Sequence, residues 1–225
     1  MGEAIGQLLP FAFGVAVSPM PIVAVVLMLV TRHARTNGPA FLLGWVGGIA
    51  VAGAVILAIA GPANASDSGE PADWVNWLKL VLGLLLVLVA FRQWRGRPHA
   101  GDDAPTPKWM GALDAFTPVK AAAAGLLLGT INPKNLLLIV GGAAAVAQTG
   151  ISGGDEVVAW TVFTVIASLG VGAPVVVYFA MGTRAARVLD ELKTWMAHHN
   201  AAIMAVLCLF IGVKLVGDAI TGFSG

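Results

Sequence analysis

Ser18-Pro19-Met20-Pro21 and Asn132-Pro133-Lys134-Asn135 interrupt two stretches that are otherwise apolar enough to cross a bilayer. Proline lacks a backbone donor and clashes with the preceding turn, which costs about 3 kcal/mol in a helix interior. The residue before it is pushed out of the α region, so Ser18, Met20 and Asn132 all resist helix. Ser and Asn are favoured N-cap residues, and proline is favoured at the first helical position after a cap. Each stretch therefore reads as the end of one half-helix and the start of another, near the middle of a span. Interrupted spans at corresponding places in two halves point to a transport site.

The surrounding composition belongs to a membrane protein. Of 225 residues, 58% are hydrophobic and 11% charged, where a soluble domain carries about 25% charged residues. The net charge of +1 is sorted by loop and not gathered on one face, so no nucleic-acid partner is expected. Cys208 is the single cysteine, which excludes an intrachain disulfide. No targeting peptide is expected, because residues 1–17 carry Glu3 where a signal peptide needs a basic start.

About 20 apolar residues span the hydrocarbon, and six such stretches are present, near 4–31, 39–60, 74–92, 119–148, 157–181 and 200–220. Arg32 and Arg35 follow the first; Arg92, Arg95, Arg97 and Lys108 the third; Arg184, Arg187 and Lys193 the fifth. The opposite side carries Glu3, Asp67, Glu70, Asp73, Asp155, Glu156 and Asp218. The positive-inside rule then puts the basic loops in the cytoplasm and both termini outside. Three spans per half make the halves run in opposite directions. The expected fold is an all-α integral membrane protein of six helices: two inverted three-helix repeats, 1–92 and 119–225, joined by a cytoplasmic linker, 93–118, with the first and fourth helices broken near the midplane. The Pro- and Gly-rich stretch 96–107 reads as the flexible part of that linker. Gly44-x-x-x-Gly48 and Gly125-x-x-x-Gly129 have the spacing that permits close helix approach, or occur by chance among 28 glycines. In 184–196, Val188, Leu192 and Trp195 share one helical face, as in a short helix lying on the membrane surface.

The breaks carry the chemistry. Helix N-termini meeting at the midplane suit an anion, and the carbonyls freed near Val15, Val17 and Gly129 need a partner in a site without lipid contact. Lys134 is the charge closest to the middle of a span. Such a residue costs about 2.5–3.5 kcal/mol on insertion scales and marks function by default. Lys79 and Lys214 lie near span ends and are expected to snorkel outward, Lys214 with Asp218 one turn away. The expected substrate-binding set is Ser18, Pro19, Pro21, Asn132, Pro133, Lys134 and Asn135. Thr161 and Thr164 join it from a face of the fifth span shared with Ser168, unless those hydroxyls bond back to their own helix. His198 and His199 are adjacent and point apart, so no metal site is expected. Neither GxxxxGK[ST] nor HExxH occurs, and no enzyme activity or cofactor is expected.

The pairing of Ser18-Pro-Met-Pro-Ile22 with Asn132-Pro-Lys-Asn135 in a six-span chain with a polar linker resembles the GAP family, the peptidoglycolipid addressing proteins of the lysine exporter superfamily. The resemblance covers the whole chain. It implies export across the cytoplasmic membrane of a bacterium, with a small anionic or amphiphilic, glycolipid-related substrate. Met20 and Asn135 stand where amino-acid exporters of that superfamily tend to have Gly and Ala, which turns the reading away from an amino acid. Partners compatible with such a chain are membrane lipids, the substrate, a second copy of the chain and an envelope-lipid export machinery. Two other readings stand beside export: a channel for neutral solutes, and a non-transporting scaffold of a lipid-export machine. Lys134 would obstruct a neutral pore.

Overall fold

A computed structural model describes residues 1–64, 73–97, 116–151 and 153–224. Most of the expected linker, including 98–107, and the loop carrying Asp67 and Glu70 lie outside those residues. The helices are α1 (Gly2–Ala16), α2 (Pro19–Leu29), α3 (Ala34–Asn64), α4 (Asp73–Arg95), α5 (Pro118–Thr130), α6 (Pro133–Gln148), α7 (Gly154–Met181) and α8 (Ala185–Ser224). Four of them, α3, α4, α7 and α8, contain single stretches long and apolar enough to cross a membrane. Two bent pairs pass the same test together: α1 and α2 meet at 49°, α5 and α6 at 62°. Counting each bent pair as one span gives up to six crossings. The protein is an all-α integral membrane protein.

The breaks fall where proline demands them. Ser18 (φ −73°, ψ 110°) and Asn132 (φ −58°, ψ 118°) are both out of helical ψ immediately before a proline. α1 and α5 are 15 and 13 residues long, so each break lies about 20 Å from the start of its span. Pro10 and Pro174 sit within α1 and α7 without ending them.

Packing rests on glycines that bring backbones together. A Cβ on Gly44 would stand 1.9 Å from the Ala122 carbonyl oxygen, and one on Gly125 2.1 Å from that of Phe41. The two GxxxG stretches are therefore one α3–α5 contact, not chance spacing. Gly170 makes the equivalent approach of α7 to α1, where a Cβ would meet the Ala16 oxygen at 1.8 Å. α4 and α8 cross reciprocally: a Cβ on Gly83 would lie 2.9 Å from the Gly212 oxygen, and one on Gly212 2.8 Å from the Gly83 oxygen. The pairings also exchange in sets. α3 on α5 is matched by α7 on α1, α2 on α8 by α6 on α4, and α3 on α6 by α7 on α2.

One element departs from the sequence reading. Residues 184–196 are not a separate surface helix; 185–196 form the first turns of α8, a helix of 40 residues and roughly 60 Å, twice the hydrocarbon thickness. Nothing between Ala185 and Phe210 breaks it, since that stretch contains neither proline nor glycine. Gly182, at φ 56°, makes the turn out of α7 that sets its direction. The side chains that pack inward are Ala185, Leu189 and Met196, while Trp195 is exposed.

Candidate functional site: the junction of two broken helices

The two breaks touch. Ser18 donates to Asn135 Oδ1 at 3.2 Å, and Lys134 Nζ reaches Ser18 Oγ at 3.2 Å. All three side chains are buried, Ser18 at 1%, Lys134 at 3% and Asn135 at 0% exposure. The two breaks are thus joined by direct hydrogen bonds between their side chains.

Freed carbonyls find partners one residue before Val15 and Gly129, near which the sequence placed them. Lys134 Nζ donates to the Gly14 carbonyl of α1 at 2.7 Å, and Asn135 Nδ2 to the Leu128 carbonyl of α5 at 3.0 Å. Val15 is satisfied locally, by the Ser18 backbone N–H. So the two residues after the second break each satisfy one broken helix, and Ser18 joins them.

The caps divide the same way. Asn132 caps α6 as expected, accepting from the Lys134 backbone N–H at 3.2 Å. Ser18 occupies the cap position of α2 but makes no side-chain cap, because its hydroxyl serves Lys134 and Asn135. Pro19 and Pro21 bring no N–H, which leaves Met20 as the only backbone donor among the first three residues of α2. The anion-attracting power of the junction therefore rests on the Lys134 ammonium more than on helix ends. Its hydrogen-bond partners are neutral oxygens, and neither ion pair among the described residues includes it. Cys208 of α8, also buried, lies near enough to interact with it electrostatically. A thiol carries no pattern in the sequence, and that neighbour was not anticipated.

Thr161 and Thr164 are elsewhere. Their hydroxyls bond back to Val157 and Trp160 of their own helix, at 2.7 and 2.9 Å. They line a cavity of about 590 Å³ between α3 and α7, with Val46, Ala50, Leu57 and Glu156. Beside the first break is a cavity of about 380 Å³ with almost purely apolar walls: Phe13, Ala16, Val17 and Ile22 face Gly170 and Pro174 of α7 and Leu192 and Met196 of α8. The apolar side chains that start α8 thus line a protein cavity.

Lys79 packs its stem into the α4–α8 contact and is 7% exposed. Lys214 pairs with Asp218 as the spacing indicated. Gly150-Ile151-Ser152-Gly153-Gly154 happens to match GxSxG. It joins two helices, and no strand occurs among the described residues, so the strand-to-helix elbow that gives the spacing meaning is missing.

No curated protein and no solved structure matches the chain. The family model of Sap, the sulfolipid-1-addressing protein, matches residues 8–221, which include both breaks and all eight helices in whole or in part. The chain belongs to the sulfolipid-1-addressing protein family.

Proposed function

We propose that this protein is a secondary-type exporter that carries an anionic, lipid-linked substrate out of the cytoplasm through the junction of its two broken helices. The observation that carries this reading is the Lys134 ammonium, buried at that junction with only neutral hydrogen-bond partners. A buried charge without a counter-charge is costly; an anionic headgroup would supply one. The family description names a sulfolipid, and the sulfur oxyanion of such a lipid is a group of that kind. The apolar cavity beside Ser18's helix offers surface for a hydrocarbon chain. The junction as packed corresponds to a closed state, in which Lys134 holds α1 and α6 together until a substrate oxygen replaces the Gly14 carbonyl.

The exchangeable helix pairings and the reciprocal Gly83–Gly212 crossing support two inverted repeats, 1–92 and 119–225, which rock against each other about the breaks. Charge sorting supports the bacterial cytoplasmic membrane with both termini outside. A junction closed by direct hydrogen bonds between buried side chains favours a carrier over a channel for neutral solutes.

The test is reconstitution of the purified chain into vesicles with a fluorescent sulfated glycolipid, and quenching by an impermeant reagent from the far side. Movement faster than in protein-free vesicles, abolished by Lys134→Met, is expected. Movement no faster than in protein-free vesicles would leave the scaffold reading in its place.

A further inference from the structure

The α4–α8 contact brings two lysines to one carboxylate. α4 and α8 run antiparallel in a register set by Gly83 against Gly212 and by Asn76, whose Nδ2 donates to the Gly222 carbonyl at 2.9 Å. Lys79 lies between those two levels on α4. That register sets Lys79 at the level of Asp218, one turn from Lys214, on α8. Asp218 is already committed, since its Oδ2 takes the Lys214 ammonium. Asn76 has given its amide to Gly222. Lys79, more than nine-tenths buried, has no hydrogen bond to any described residue. Two lysines and one carboxylate thus meet at this crossing, where Lys214 holds Asp218 and the Lys79 ammonium is left over.

Depth says what could neutralise it. Trp77, two residues before Lys79, is 59% exposed and packs edge-on against Phe223 with ring centroids 5.1 Å apart. Exposed tryptophans sit at headgroup level, so the lysine pair lies just below the polar surface of the leaflet at this end. Inward, Lys214 stands 5.9 Å from the centroid of the Phe11 ring. Phe11 is fully buried and one turn along α1 from Gly14, the residue that accepts from Lys134. A single aromatic layer therefore separates this cluster from the junction.

We infer that Lys79 and Lys214, with Asp218 beside them, form a second anion subsite at the terminal end of the bundle that binds a sulfate- or phosphate-type oxyanion. The oxyanion belongs to a lipid headgroup or to a free ion; the recognition chemistry is shared, because an ammonium pair needs only tetrahedral oxygens within reach. Asp218 tunes the site by holding Lys214 in place while limiting its affinity, which lets an anion arrive and leave. The subsite stands whether or not substrate passes Lys134.

The experiment uses the full-length protein in neutral detergent. Its thermal midpoint is followed at constant ionic strength as chloride is replaced by sulfate, and separately with short-chain phosphatidate against short-chain phosphatidylcholine. Stabilisation by sulfate identifies the free oxyanion as sufficient; stabilisation by phosphatidate alone identifies the headgroup. Either supports the subsite if Lys79→Met raises the half-saturating concentration about tenfold, Lys79→Arg restores most of it, and Asp218→Asn lowers it several-fold by removing the competing negative charge. If Lys79→Met does not fold, the sign of the Asp218→Asn effect decides. The inference is overturned if neither anion shifts the midpoint, if a folded Lys79→Met responds like the parent, or if Asp218→Asn weakens the response.

Discussion

The ammonium of Lys134 in α6 and the carbonyl of Gly14 in α1 lie 2.7 Å apart, although 120 positions separate them in the chain. That bond makes one residue both the charge of the proposed site and the clasp between the two broken helices. Binding and closure are then mutually exclusive uses of the same group, which is what a carrier with a closed state requires.

Lys134→Met should abolish export. It should also lower stability by about 1–3 kcal/mol, because the Gly14 carbonyl is left buried without a donor. Flux in vesicles and thermal unfolding of the purified variant, measured together, check both parts. Normal flux in a folded Lys134→Met would remove the lysine from the mechanism.

Ser18 and Asn135 should separate in severity. Asn135→Leu removes the bond to Leu128 and the acceptor for Ser18 at once, and is expected to cost about 2–3 kcal/mol with loss of flux. Ser18→Ala leaves both carbonyls satisfied, because Lys134 still holds Gly14 and Asn135 still holds Leu128. About 1 kcal/mol and partial flux are expected there. Equal losses for the two variants would show that the serine hydroxyl, not the amide, organises the junction.

The glycines of α3 offer an internal control. Gly44→Ala places a methyl group into the Ala122 backbone and must push α3 off α5, while Gly47 has nothing within 4 Å of its would-be Cβ. Gly44→Ala should destabilise by about 1–3 kcal/mol or more, and Gly47→Ala should show no loss. Thermal unfolding of the two single variants is sufficient; matching values would refute the close α3–α5 approach.

Sidedness follows from charge sorting alone and can be read in cells. In a background lacking Cys208, cysteines at positions 68 and 100 should respond oppositely to a membrane-impermeant thiol reagent, 68 labelled and 100 protected. Labelling of 100 with protection of 68 would reverse the orientation proposed here.

The spans, the two breaks and the Asn132 cap were legible without coordinates, since each depends on residues within a turn or two of one another. Proline removes its own donor and restricts its immediate neighbour whatever surrounds it, and length with apolarity is enough to call a crossing. The Lys214–Asp218 pair was legible for the same reason, being one helical turn apart. Thr161 and Thr164 were open in the sequence between lining a path and bonding back, and their own helix took the hydroxyls.

What tertiary structure decided is which distant group meets which. Sequence pointed to freed carbonyls near Val15, Val17 and Gly129; that Lys134 takes Gly14 and Asn135 takes Leu128 was set by the crossing of the half-helices, which decides which oxygen each side chain can reach. GxxxG spacing became a contact only when Gly44 and Gly125 met each other's helices. Lys79 has the sequence context of a snorkelling lysine, and only the fold packs its stem against α8 at a glycine-tight crossing. The start of α8 looked amphipathic toward the membrane and turned Leu192 and Met196 into a protein cavity. Helix breaks and hydropathy are properties of the chain's own covalent chemistry, whereas these partners depend on which backbones the glycines allow to approach.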